Sequence, residues 1–306
     1  MTAPEVSVVV PTYNRAHLLR GSLASLLAQE GPALEVIVVD DGSTDATAEA
    51  VAAIGDPRVR YVRRPHAGIA HSRNAGIAAA LAPYVAFHDS DDVALPGRLA
   101  VPVEYLRAHP EIDLVIQNGR MLPPDDDPAA GETPWIAPRV AHALAARPIG
   151  VAEVFRWNLG QLQGMCFTRR SLDATGPLDP AFRILDDLDL VLRVTIAFQA
   201  VFLDVPAFAY RRHAAGVARD RERVREEAIR LADKLACEHP EALDRLGRAG
   251  FVRRQARRYA RLAASRLRAG DARGARRAIA EARTLDPGNL GYRLRALWLT
   301  LRLRDR

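Results

Sequence analysis

The sequence predicts an α/β chain: a mostly parallel, doubly wound sheet with a C-terminal all-helical region. Three observations predict it. Short apolar runs alternate with helical patterns between residues 5 and 118, acidic and turn residues gather directly after the apolar runs, and the pattern from 217 onward is helical. Alternation of this kind requires right-handed crossovers and helices on both faces of the sheet. A chain of 306 residues, 49 % apolar and 26 % charged, has globular composition and can bury a sizeable core.

Each element follows from its own residues. VSVVV (6–10), ending at Pro11, is a continuous apolar run of the kind that makes a strand buried on both faces. Leu18, Leu19, Leu23, Leu26 and Leu27 then share one helical face. EVIVVD (35–40) is a second strand, followed by a helix starting near Ser43 or Thr44, for which Ser43, Thr44 and Asp45 read as start residues. VRYV (59–62) is a third strand and GIAHSRNAGIAAALA (68–82) a third helix, closed by Pro83. YVAFHD (84–89) and DLVIQN (113–118) are further strands, with a helix between them that has an irregular start at Pro96. Residues 119–147 are rich in Pro and Gly with weak periodicity, which predicts one long mobile loop or lid. Its run Asp125-Asp126-Asp127 reads as a solvated tip rather than a metal site. QLQGMCFTRRSL (161–172) reads as a strand passing into a short helix, 185–198 as an apolar helix with Asp186, Asp187 and Asp189 in its first turn, and AVFLDV and AFAYRRH as two short strands. The predicted organisation is therefore 1–110, 111–216 with its loop, and a helical 217–306.

Composition excludes several classes. No run of eighteen apolar residues predicts a membrane-spanning helix, and the N-terminal stretch lacks the pattern of a secretory signal. Cys166 and Cys237 are too few for a disulfide framework, so a reduced cytoplasmic setting is expected. The net charge of +6 is uneven: residues 251–306 carry sixteen Arg against four acids, or +12, whereas 1–216 carries −6. Lys234 is the single lysine, so the high pI follows from arginine usage and predicts no nucleic-acid partner.

Ligands on such sheets sit beyond the carboxyl ends of the strands. The first strand–helix turn, PTYNRAHLL, has no glycine before Gly21 and is neither a dinucleotide fingerprint nor a P-loop. Asp40-Asp41 and Asp89-Ser90-Asp91-Asp92 stand instead at two strand ends. Carboxylates crowded there suit a hard divalent cation, magnesium or manganese, which also takes phosphate oxygens; Asp91 reads as its ligand, and Asp41 and Asp92 read alternatively as turn or cap residues.

SVVVPTYNRAHLL, EVIVVDDGSTD, GIAHSRNAGI, YVAFHDSDD and LDDLDLVLR, in this order, resemble the family-two glycosyltransferases of GT-A fold over roughly 5–213. The resemblance implies an inverting transfer of a sugar from a nucleoside-diphosphate sugar to the hydroxyl of a saccharide or lipid-linked saccharide acceptor, in cell-surface polysaccharide or glycolipid assembly. It implies roles residue by residue. Pro11, Thr12 and Tyr13 would line the nucleotide pocket, Asp41 would bond the base, and Arg73 would approach the diphosphate or sugar. Asp89 would touch the ribose or donor sugar, Asp91 would bind Mn2+ or Mg2+, and His213 would add a metal or diphosphate contact. Asp187 would be the general base, with Asp186 and Asp189 as alternatives; Asp186 stands where the family often has Glu. A sugar nucleotidyltransferase would want a Gly-rich basic first loop, which PTYNR is not, and a non-catalytic scaffold would not need Asp91 or the 186–187 pair. Among other residues, His88 reads as a satisfied core histidine, His66 and His71 as capping or pocket-facing, and Trp135 and Trp157 as buried rather than stacked on a sugar.

Two readings remain for the C-terminal segment. Residues 256–287 have the spacing of a single tetratricopeptide-like helix pair turning at Gly270-Asp271. NLGYRLRALWLTLRLRDR combines leucines, Trp298 and arginines. It reads either as a basic amphipathic helix making peripheral contact with a membrane's inner face or as a helix packed against a subunit or the domain itself.

Overall fold

A computed structural model describes residues 3–123, 132–145, 147–210 and 220–302. The chain divides into two units, Met1–Gly216 and Val217–Arg306.

The first unit runs β1 (Val6–Thr12), α1 (Ala16–Leu27), β2 (Leu34–Asp40), α2 (Thr47–Ala52), β3 (Val59–Arg63), α3 (Ile69–Ala79), β4 (Tyr84–Phe87), β5 (Val93–Ala94) and α4 (Ala100–Ala108). It continues with β6 (Ile112–Met121), β7 (Thr133–Pro134), α5 (Pro138–Leu144), β8 (Pro148–Ile149), α6 (Val151–Trp157), β9 (Met165–Thr168), α7 (Arg169–Thr175), α8 (Asp186–Ala197) and β10 (Gln199–Tyr210). Among the described residues the sheet order is β3-β2-β1-β4-β9-β6-β10-β5, with β7 on β6 and β8 on β10. β3, β2, β1 and β4 are parallel, β9 is antiparallel to both β4 and β6, and β6 and β10 are parallel. The fold is thus the α/β, mostly parallel sheet expected. Every residue of β1 and β2 is buried, because both faces carry helices. Leu19, Leu23 and Leu26 of α1 and Val103 and Leu106 of α4 complete one core.

Helix α3 lies close on β1. A Cβ at Gly76 would stand 2.2 Å from Cγ1 of Val9, so only glycine permits this approach.

Four details depart from the sequence expectations. α2 begins at Thr47, three or four residues late, because the preceding side chains are engaged elsewhere: Ser43 Oγ accepts the Asn14 N–H at 2.8 Å, and Asp45 accepts the Thr47 N–H at 3.2 Å. The segment 119–147 is not one loop in its described part. β6 runs on to Met121, and α5 starts with Pro138 in its first turn and buries Val140, Ala141 and Leu144. Asp125-Asp126-Asp127 lies outside the described residues. The two strands expected at 200–213 are one, β10, whose register shifts around Pro206 absorb the proline. β5, two residues long, pairs with β10 and has no sequence signal.

The second unit comprises α9 (Arg221–Glu238), α10 (Ala242–Leu246), α11 (Arg248–Arg268), α12 (Ala272–Leu285) and α13 (Leu290–Arg302). Its core gathers Ile229, Leu262, Ala275, Ile279, Ala282 and Ala296. Between α11 and α12 Gly270 takes φ +84°, and Asp271 caps α12 by accepting the Gly274 N–H at 2.8 Å. No helix among the described residues is long and apolar enough to cross a membrane.

Candidate active site

Parallel pairing brings the carboxyl ends of β2, β1 and β4 to one edge, and backbone bonds hold the following residues in line. The Asp41 N–H donates to the Thr12 carbonyl at 2.9 Å and the His88 N–H to the Val9 carbonyl at 3.0 Å.

After β2, two aspartates do different things. Asp40 is buried and accepts the Ser43 N–H at 2.9 Å and the Tyr61 hydroxyl at 2.5 Å. Burial and that carboxylate push the Tyr61 phenol up to about 12. Asp41 accepts the N–H groups of Ala67 at 3.0 Å and Gly68 at 2.7 Å, and His66 Nδ1 lies 2.8 Å from it. Gly68 has φ +102°, which turns its N–H toward Asp41 at the start of α3. Tyr13 stacks on the His66 ring at 4.3 Å. Thr12 is buried, and its hydroxyl finds no hydrogen-bond partner among the described residues. Pro11 is buried within β1.

After β4, Arg73 of α3 joins two distant segments. Its Nη1 donates to Asp186 at 2.9 Å and its Nη2 to Asp89 at 3.3 Å. Burial works against this guanidinium's charge, but Asp186, Asp89 and Asp187 outweigh it and raise its pKa. Asp89 is itself raised, by burial and by Asp91, against the pull of Arg73.

The α8 aspartates are sorted by their partners. Asp186 is buried on Arg73. Asp189 is buried on Arg193, whose other nitrogens donate to the Thr175 and Pro177 carbonyls at 2.8 Å. Asp187 is only partly buried and accepts its neighbour Leu188 N–H at 2.6 Å. Burial and the Asp186 charge push its carboxyl up to about 8, with Arg73 pulling the other way and Asp89 adding to the rise. Asn74 fixes the approach to α8 through a two-way bond with Leu178, at 2.9 and 2.8 Å.

Two arginines escaped sequence reasoning. Arg15, just past β1, pairs with Asp91. Arg98 is fully buried and donates to the Phe87 carbonyl at 3.0 Å and the Met165 carbonyl at 2.8 Å, pinning β4 to β9. The apolar run before Asp89 signals the strand end, but nothing in local spacing signals long side chains that reach across it. His88 is a core histidine but not the satisfied one expected: both ring nitrogens are buried without a hydrogen-bond partner among the described residues, and burial and Arg98 hold it down at about 3.

The donor set bears on the metal. Among the described residues no three His, Cys, Asp or Glu side chains converge as a cage. Asp89, Asp91 and Asp92 nonetheless follow one strand end, and both carboxylate oxygens of buried Asp92 lack hydrogen-bond partners. Burial, Asp89 and Asp91 raise the Asp92 carboxyl well above its ordinary value. Such a set fits magnesium or manganese held by one or two carboxylates and completed by phosphate oxygens and water. His213 lies outside the described residues.

Of the residues expected in the site, Pro11, Thr12, Tyr13, Asp41, Asp89 and Asp91 stand at or just past these strand ends, Arg73 is bonded to Asp89 and Asp186, and Asp187 follows Asp186 in α8. The model for "Glycosyl transferase family 2" matches residues 7–160. The chain belongs to this family.

Relatives and solved structures agree with the membership. The chain is 44 % identical over 126 residues to the succinoglycan biosynthesis protein ExoO of Rhizobium meliloti, covering 39 % of this chain and 36 % of that protein. It is 29 % identical over 161 residues to the chondroitin synthase of Pasteurella multocida, covering 51 % of this chain and 17 % of the synthase. The match thus spans about a third of the first relative and a sixth of the second. The fold is similar to S. aureus TarS 1–349 in complex with UDP-GlcNAc, with TM-score 0.62 and 18 % identity over 76 % of this chain and 66 % of that one. It is also similar to the mannosyltransferase PcManGT of Pyrobaculum calidifontis with GDP-Man and Mn2+, with TM-score 0.59 and 22 % identity over 97 % of this chain and 88 % of that one. The likeness to these two solved structures shows a GT-A glycosyltransferase fold for the chain.

Proposed function

We propose that the chain is an inverting, metal-dependent glycosyltransferase. It moves a sugar from a nucleoside-diphosphate sugar to an acceptor hydroxyl in the assembly of a surface polysaccharide or glycolipid. The observation that carries this reading is the sorting of the α8 aspartates: Asp186 and Asp189 are tied to arginines, and Asp187 alone stays partly exposed with a raised affinity for a proton. The nucleotide-sugar complexes of TarS and PcManGT support the donor class, and the succinoglycan protein supports the setting.

The chain's own residues divide the work. Thr12 and Tyr13 line the nucleotide, with the Thr12 hydroxyl available to it. Asp41 bonds the base, on the lone pairs left beside Ala67 and Gly68. Asp89 holds the ribose or donor sugar. Asp91, with His213, would hold Mn2+ or Mg2+, which supplies positive charge to the diphosphate. Asp187 takes the proton of the acceptor hydroxyl as its oxygen bonds to the anomeric carbon. The electron pair of the breaking C–O bond leaves with the diphosphate, toward the charge of Arg73. One displacement inverts the anomeric centre and needs no protein nucleophile. A cytoplasmic site of action, peripheral to the membrane where the acceptor is lipid-linked, accords with free Cys166 and Cys237.

Screening nucleotide sugars by slow donor hydrolysis identifies the donor. With that donor, Asp187→Asn should lower transfer at least a hundredfold and leave nucleotide affinity within about twofold. Near-normal turnover in this variant would remove Asp187 from the base role.

A further inference from the structure

We infer that the outer face of α13 docks on an anionic lipid surface. One side of this helix is already used: Ala296 is buried and Tyr292 half-buried in the core of the second unit. The other side leaves Leu290 67 %, Leu294 66 %, Leu297 57 % and Trp298 48 % exposed. These positions repeat at helical spacing and form one stripe.

Charge decides the occupant. α13 carries Arg293 and Arg295, both exposed, and no acidic residue. Helix α12 is basic in balance as well, with exposed Arg273, Arg276, Arg277 and Arg283 against exposed Glu281. A second copy of the chain would bring these arginines against themselves, and like charges repel. A nucleic-acid backbone would match the arginines but offers nothing to the leucines and Trp298. A bilayer with anionic headgroups satisfies both. The apolar stripe enters the boundary between headgroups and acyl chains, and the arginines remain at the phosphates. No spanning helix is needed for such contact.

Flotation of the full chain tests this with two vesicle types, pure phosphatidylcholine and phosphatidylcholine containing about one-third phosphatidylglycerol. The chain should float with the anionic vesicles, remain in the soluble fraction with the neutral ones, and bind less as salt is raised. Leu294→Glu/Leu297→Glu should lower partitioning more than tenfold. Arg293→Gln/Arg295→Gln should lower it about fivefold per arginine removed. All four side chains are exposed, so circular dichroism and Tm should match the parent chain. Light scattering without vesicles should give the same mass for parent and leucine variant. Failure to float with anionic vesicles, or flotation unchanged by the leucine variant, overturns the inference. So does a dimer that the leucine variant dissociates, which would assign the face to a second copy.

Discussion

Asp186 and Asp187 are adjacent in sequence and opposite in circumstance. Asp186 lies buried against Arg73, and Asp187 faces partly outward with its carboxyl raised to about 8 by burial and by Asp186. Burial sets the direction, and of the charged groups facing it Asp186 and Asp89 add to the rise while Arg73 opposes it. A base must be unprotonated, so kcat/KM should rise with pH through about 8 and flatten above it. Stability should move the other way. A carboxyl raised in the folded chain favours folding below its ordinary 3.8, and that contribution is lost as pH rises through about 8. Urea unfolding across this range should show the decline in the parent chain and a shallower one in Asp187→Asn. Asp186→Ala leaves buried Arg73 with the Asp89 bond and the charge of Asp187 and should cost ~3 kcal/mol in the same assay. At this scale much of the site was legible, because an aspartate directly after an apolar run marks a strand end. Arg15 and Arg98 were not. Their partners, Asp91 and the Phe87 and Met165 carbonyls, are brought to them by the folded chain.

Elements position these side chains by close packing and by a few long bonds. Arg73 reaches both Asp89 and Asp186 because α3 lies hard against β1 at Gly76 and is bonded to the loop before α8 through Asn74 and Leu178. Gly76→Ala would drive a methyl group into Val9 and lift α3 off the sheet. It should destabilise by ~1–3 kcal/mol and lower activity more than a surface Gly21→Ala, whose Cβ would meet nothing within 4 Å. Thermal unfolding and donor hydrolysis on the two variants check this. Buried strands and amphipathic helices were legible through periodicity, as in VSVVV and the leucines of α1. Pro206 was misleading, since a proline ends a regular strand but is accommodated where β10 shifts register against β6. α5 was hidden within a Pro- and Gly-rich stretch. Its signal was Pro138 at a helix start with Val140, Ala141 and Leu144 on one face behind it.

For the molecule as a whole, alternating strands and helices foretold a mostly parallel sheet, and that topology aligns Thr12, Asp41 and Asp89 from three separate strands at one edge. The antiparallel placement of β9 between β4 and β6 was beyond local pattern, because strand order depends on which faces the crossover helices cover. Charge also divides along the chain, −6 over 1–216 against +12 over 251–306. The acidic share lies with the unit that contains the candidate site, where a bound divalent cation would offset part of it. The central claim is that this acidic edge holds a nucleoside diphosphate together with a divalent cation. The most direct measurement is thermal unfolding of the full chain with UDP, GDP or dTDP, with and without manganese, for the parent and for Asp91→Ala. At about a hundred times Kd, at least one nucleotide should stabilise the parent by ~2.7 kcal/mol, and Asp91→Ala should lose the manganese-dependent part of that gain. No shift with any of the three nucleotides, with metal or without, would contradict the claim.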